Sequence, residues 1–186
     1  MPLIPTAEAV ISELHRVFPA KRPDLEGPLS DSTMLDEEVV GLKEAFADKD
    51  DWTVIDPEWL VRQPDNYSSA MGFLSDEAIC FYIPAFIKAD LLGITGETLC
   101  QPEFQLTHGL DEESRNRPIW NQNEWPDRTD RWLDHAVTRW RRLSQAQCGA
   151  VVQYLEWKKS DDEFAASSIQ QALDFFWYSR AGISTH

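Results

Sequence analysis

Apolar residues recur every three or four positions along most of the chain, which predicts a series of amphipathic helices. Each apolar stripe follows a residue that can cap a helix, and the predicted caps are Thr6, Thr33, Asp56, Ser75, Thr129, Ser144 and Ser160. The stripe after Ser75 contains Pro84, which removes a backbone donor. We therefore expect a kink or two abutting helices at Pro84.

The stretch from residue 96 to residue 128 interrupts this pattern, because prolines and glycines divide it into short pieces. If the chain contains strands, we expect them here, at Glu103–Leu106 or Arg117–Trp120, as at most a short peripheral β-hairpin. The pattern as a whole predicts a mainly all-α fold. We expect residues 1–186 to form a single-domain bundle of six or seven helices with an irregular loop at 96–128.

Charge is distributed unevenly in this acidic chain. The 32 acidic and 17 basic residues give a net charge of −15. Residues 24–113 carry 21 acidic and four basic side chains, whereas residues 114–142 have a net charge of +3. Such a balance argues against nucleic acid and against an anionic membrane surface as partners. The arginines of the 114–142 segment either pair with the acidic part of the chain or form a small anion site.

The cysteines and the apolar runs indicate the cellular compartment in which the protein is expected. Cys80, Cys100 and Cys148 lie far apart without a C-x-x-C pair, so we expect neither a disulfide framework nor a closed zinc site. The first residues lack the basic and apolar regions of a secretory signal, and no apolar run approaches 18 residues. We therefore expect a cytoplasmic protein.

Candidate chemistry is sparse in this sequence. It has no phosphate-binding loop, no G-x-S-x-G elbow and no H-E-x-x-H motif. Among 32 acidic residues, pairs of carboxylates arise by chance, so we predict no catalytic residues and no cofactor. His108, Asp111 and Glu112 are weak candidates for metal ligands. One alternative function is accordingly a metal-assisted hydrolase that uses acidic and histidine residues of the 100–135 region.

Residues 74–86 carry a more specific signature, LSDEAICFYIPAF. It resembles the Leu-Ser-x-Glu-Ala-x-x-Phe-Tyr-Leu-Pro-Ala-like signature of an uncharacterised bacterial family of unknown function. The similarity extends over roughly residues 50–180. The resemblance implies a small α-helical bacterial protein, with helices at 1–50 preceding a family-like core at 51–180, and it implies no activity.

Tryptophan is abundant, with eight residues in the chain, and most of them are expected in a helical core. Trp120 and Trp125 differ because they flank a polar run beside several arginines, and tryptophan is enriched in protein–protein contacts. We therefore predict a non-catalytic acidic interaction domain, such as an immunity or antitoxin-type inhibitor of a basic toxin or effector. The predicted partner-binding residues are Asp36, Glu37, Glu38, Asp48, Asp50, Asp51, Trp120 and Trp125. A self-associating housekeeping module, such as a homodimer, is the other alternative.

Overall fold

The computed structural model describes residues 4–22, 28–30, 37–64, 70–96, 101–121, 124 and 127–184. The predicted all-α fold is confirmed, because most of these residues are helical. Within them, extended pairing is limited to two isolated antiparallel bridges, Lys21 with Asp51 and Pro118 with Arg131. The α-helices are α1 (Ala7–Val17), α2 (Glu37–Phe46), α3 (Pro57–Leu60), α4 (Asp76–Leu91), α5 (Pro102–Thr107), α6 (Trp132–Trp140), α7 (Gln145–Asp161), α8 (Ala166–Ala172) and α9 (Tyr178–Ala181).

The chain forms two compact units. One consists of Met1–Val10 together with Glu103–His186, and the other consists of Ile11–Pro102. We call them the discontinuous unit and the continuous unit. The expectation of one domain, divided at residue 50 into amino-terminal helices and a core, stays a prediction.

Helix α4 is the core of the continuous unit. Almost every residue from Ala78 to Leu91 is buried and most of them are apolar, as expected for a central helix. The cap at Ser75 is confirmed, since its Oγ accepts a hydrogen bond from the Ala78 amide at 3.2 Å. The alternative of two abutting helices at Pro84 is wrong, because α4 continues through this proline as one element.

In the discontinuous unit, α7 packs against α8, α9 and the π-helical turn Leu173–Trp177 that joins them. Two fully buried tryptophans, Trp140 and Trp177, meet here with ring centroids 5.8 Å apart. The Trp177 indole N–H donates to the Leu106 carbonyl at 2.9 Å, which satisfies its polar atom inside the core. The expectation that most tryptophans belong to the core therefore holds for these two.

Several predicted boundaries need correction. Glu103–Leu106 lies in α5 and is not a strand, and Arg117–Trp120 contributes only the bridge at Pro118. Helix α6 begins at Trp132, after Arg131, rather than at Thr129. The cap predicted at Ser160 is also wrong, because α7 continues to Asp161. Asp162 instead accepts hydrogen bonds from the Phe164 and Ala165 amides.

Candidate functional site

Three of the predicted partner-binding residues, Asp48, Asp50 and Asp51, line one cleft in the continuous unit. The cleft has a volume of about 350 Å³ and combines four carboxylates with an apolar lining. We call it the aspartate cleft, and its lining residues are Asp48, Lys49, Asp50, Asp51, Val54, Ile55, Asp56 and Trp59.

Backbone pairing holds the acidic segment in place after α2 ends at Phe46. The Asp50 carbonyl accepts from the Arg22 amide at 2.6 Å, and the Trp52 amide donates to the Ala20 carbonyl at 3.2 Å. The Trp52 side chain is buried, and its indole N–H donates to the Pro19 carbonyl at 2.9 Å. These bonds join residues that are about 30 positions apart, so the carboxylates project from a fixed main chain.

A buried tyrosine holds the same segment from α4. The Tyr82 hydroxyl donates to the Lys49 carbonyl at 2.6 Å and accepts from the Arg22 guanidinium at 3.1 Å. Burial raises the pKa of the Tyr82 phenol, although the nearby Arg22 opposes this shift. The phenol therefore stays protonated and keeps donating its hydrogen bond at neutral pH.

Two of the carboxylates in the aspartate cleft also have local structural roles. Asp51 caps the short 3₁₀ turn Trp52–Val54 by accepting from the Thr53 amide at 2.9 Å and from the Thr53 hydroxyl at 2.5 Å. The side-chain bond from Thr53 is the main reason that the pKa of Asp51 lies below its usual value. Asp56 caps α3 by accepting from the Glu58 amide at 2.9 Å, as the sequence predicts.

The other two carboxylates, those of Asp48 and Asp50, cap no helix or turn in the described residues. Asp48 forms an ion pair with Lys49, with 2.5 Å between Oδ1 and Nζ, and this bond lowers the pKa of Asp48. The Asp50 carboxylate accepts no hydrogen bond and joins no ion pair among the residues that the structure describes. Among the described residues, the aspartate cleft therefore combines four carboxylates with one lining cation, Lys49.

An aromatic ring completes the aspartate cleft. Trp59 is half-buried and packs against the buried ring of Phe46, with 5.3 Å between ring centroids. The Lys49 ammonium lies 5.1 Å from the centroid of the Trp59 ring. Val54 also lines the cleft, with 78% of its surface exposed.

The remaining predicted partner-binding residues do not join this cleft. Glu37 and Glu38 lie in the first turn of α2 and are not among its lining residues. Trp120 belongs to the discontinuous unit and is 36% exposed. The centroid of its ring lies 4.2 Å from the guanidinium carbon of Arg128. Asp36 and Trp125 lie outside the described residues.

The weak metal candidates are each engaged with other side chains or amides. His108 packs between the rings of Phe104 and Trp132, at 4.8 and 4.6 Å between centroids. Asp111 is buried, and its carboxylate accepts from the Glu113 amide, the Ser114 amide and the Ser114 hydroxyl.

Glu112 is exposed and faces Arg115 at 3.8 Å. Across the described part of the chain, His, Cys, Asp and Glu side chains form no group of three that could hold a metal ion. The metal-hydrolase alternative stays a prediction.

Comparison of the chain with known protein families, with curated proteins and with solved structures finds no match. The resemblance at residues 74–86 therefore stays a prediction. The structure gives this segment the role of a capped, buried core helix. In addition, none of the helices in the described ranges is both long and apolar enough to traverse a lipid bilayer.

The predicted partner-binding residues did not include five other lining residues of the cleft, which are Lys49, Val54, Ile55, Asp56 and Trp59. Asp56 was recognisable as a helix cap and Trp59 as a core candidate, and both have those roles as well. The signal available in the sequence was the local density of aspartate and tryptophan. Residues 48–59 contain four aspartates and two tryptophans in twelve positions. The backbone pairing between residues 20–22 and 50–52, which holds this segment, is long-range and is not revealed by local periodicity.

Proposed function

We propose that this protein is a non-catalytic interaction domain that binds a basic protein through the aspartate cleft. The single observation that carries the proposal is the joint presence of Asp48, Asp50, Asp51 and Asp56 with Trp59 in one concave site. Carboxylates attract cationic side chains, and a tryptophan ring supplies apolar contact area. Residues that contribute most to the affinity of protein interfaces are enriched in tryptophan and lie in well-packed pockets.

The charge distribution of the chain supports the same partner class. Residues 24–113 have a net charge of −17, and the aspartate cleft lies within this segment. Such a field accelerates the approach of a basic protein and disfavours acidic competitors. The attraction weakens as salt screens it, so affinity should fall with ionic strength.

The experiment compares two double variants that lose the same number of negative charges. Asp48→Asn with Asp50→Asn removes two of the four negative charges of the aspartate cleft and nearly preserves side-chain shape. Asp161→Asn with Glu163→Gln neutralises two exposed carboxylates at the end of α7 and beyond it. Binding of an octa-lysine peptide is measured by calorimetry at about 50 and about 150 mM NaCl.

We expect the cleft variant to lose most of the affinity and the control variant to keep it. Equal losses in the two variants would show that the peptide responds only to total charge, and the proposal would be wrong. An absence of binding to the unmodified protein at low salt would also overturn it. Light scattering of the unmodified protein alone tests the self-association alternative.

The narrowest form of the proposal is an immunity or antitoxin-type inhibitor in the cytoplasm. Its candidate partners are basic proteins encoded by neighbouring genes, co-expressed with the chain and purified together at physiological salt. We expect a complex with a submicromolar Kd that the cleft double variant weakens. If no neighbouring product binds more tightly than micromolar, this form is wrong.

A further inference from the structure

The aspartate cleft already contains a cation, which is the chain's own Lys49. Its ammonium lies 5.1 Å from the centroid of the Trp59 ring and 2.5 Å from Asp48 Oδ1. The position of Lys49 shows that a positive group fits between the ring and a carboxylate. This observation is independent of the number of aspartates around the site.

The Trp59 ring is suited to a cationic ligand. Its contact with Phe46 at 5.3 Å fixes the indole, and the face of such a ring attracts a cation. The exposed Val54 provides apolar surface that the methylene stem of a basic side chain can cover, and the buried Ile55 lies beside it in the lining. The cleft therefore offers a place for each part of a long basic side chain.

Lys49 can leave this position without disturbing the main chain. The Tyr82 hydroxyl holds the Lys49 carbonyl at 2.6 Å, which keeps the backbone in place. The side-chain ion pair lies at the surface, with 78% of the Asp48 side chain and 30% of the Lys49 side chain accessible, and ion pairs at the surface contribute little to stability. A stronger cationic group can therefore displace the Lys49 ammonium.

We propose that an arginine side chain of the basic partner takes the place of Lys49, stacks on Trp59 and binds Asp48 and Asp50. A planar guanidinium stacks on an aromatic face and forms two parallel bonds with a carboxylate, which an ammonium group cannot do. Lys49 thus acts as an internal competitor of the partner. This inference rests on the proposed function, since it specifies the group that the aspartate cleft recognises.

Two substitutions test the inference, and they should change the affinity for octa-arginine in opposite directions. Lys49→Met keeps the apolar stem but removes the competing charge, so octa-arginine should bind roughly two- to fivefold more tightly. Trp59→Leu removes the ring, so octa-arginine should bind roughly two- to fivefold more weakly and its advantage over octa-lysine should disappear. A substitution that merely damaged the fold would not raise affinity.

Trp157→Leu is the matched control for loss of a half-buried tryptophan. Trp157 lies on α7 in the discontinuous unit and packs against Tyr154, with 6.2 Å between centroids. This variant should bind octa-arginine as the unmodified protein does. In the unmodified protein, the indole N–H resonance of Trp59 should shift on addition of octa-arginine, a readout that requires no variant.

The outcomes separate this inference from the proposed function. If the unmodified protein binds neither peptide, the proposed function fails. If it binds both peptides equally and neither Lys49→Met nor Trp59→Leu changes affinity, only the arginine inference is overturned. If the protein dimerises and Trp59→Leu abolishes the dimer, a second copy occupies the cleft and the inference is also overturned.

Discussion

The backbone of Gly109 packs closely against helix α6. Its φ of 85° is in the left-handed region, and a Cβ at this position would lie 2.9 Å from the Ala136 Cβ and even closer to the Trp132 carbonyl. Both strain and overlap therefore oppose any side chain here. We expect Gly109→Ala to lower the free energy of unfolding by about 2 kcal/mol or more in denaturant titrations.

Gly149 provides the control for this substitution. It lies within α7, and a Cβ there would meet no atom within 4 Å outside the helix backbone and its own chain neighbours. Gly149→Ala should raise the free energy of unfolding by up to about 1 kcal/mol, because alanine favours a helix. Equal effects of the two substitutions would contradict the close packing at Gly109.

His108 should make stability depend on pH. Burial between Phe104 and Trp132 lowers the pKa of His108 below its ordinary value of 6.5, and the nearby Asp111 opposes this shift only in part. The unfolded chain therefore binds this proton at a higher pH than the folded chain. The contribution to stability is complete above the unfolded pKa and is lost as pH falls through the lower folded pKa.

The substitution His108→Phe removes this titration and keeps an aromatic ring between Phe104 and Trp132. We expect the free energy of unfolding to fall less between about pH 7.5 and about pH 5.5 in the variant than in the unmodified protein. The measurement is denaturant unfolding at several pH values. Parallel pH profiles for the two proteins would contradict the assigned role of His108.

At the scale of elements, local side-chain chemistry was a good guide to where helices begin. Thr6, Asp56, Ser75 and Ser144 each accept a hydrogen bond from a first-turn amide, as predicted from the sequence. Local chemistry failed where tertiary packing decided the outcome. The Glu103–Leu106 segment is helical although prolines and glycines surround it, and two core contacts made by α5 explain this. Leu106 accepts from Trp177, and the buried Glu103 accepts from Tyr154 at 3.4 Å.

Two serines associated with α7 allow a direct test of a correct and an incorrect cap. The Ser144 hydroxyl accepts from the Gln147 amide at 3.3 Å, and the Gln147 side chain accepts from the Ser144 amide at 2.8 Å. Ser160 lies inside the helix and donates to the Trp157 carbonyl at 2.6 Å.

Ser144→Ala should lower the free energy of unfolding by about 1 kcal/mol, whereas Ser160→Ala should change it by less than about 0.5 kcal/mol. Both values come from denaturant titrations of the two single variants. A larger loss in the free energy of unfolding for Ser160→Ala than for Ser144→Ala would indicate that Ser160 does act as a helix cap.

At the scale of the whole molecule, the sequence predicted the sign of the surface charge better than the composition of the aspartate cleft. The excess of acidic residues in 24–113 was evident from counting, and Asp48, Asp50 and Asp51 were predicted to act together. Trp59 could not be assigned to the same site from the sequence alone. Its position beside Lys49 depends on ring packing against Phe46 and on Tyr82 and Arg22. The last two are distant in sequence and hold the backbone on which the aspartates lie.

Crowded carboxylates in a chain of net charge −15 repel one another. A cluster of aspartates that serves binding should therefore lower the stability of the folded protein. Asp50 is the clearest case, because no described residue pairs with its carboxylate and Asp48 and Asp51 line the same cleft. Asp50→Asn should therefore raise the midpoint of thermal unfolding at low salt while weakening octa-arginine binding. High salt should reduce both differences, because it screens the repulsion and the attraction alike. An Asp50→Asn variant that is less stable than the unmodified protein at low salt would assign this carboxylate a structural role instead.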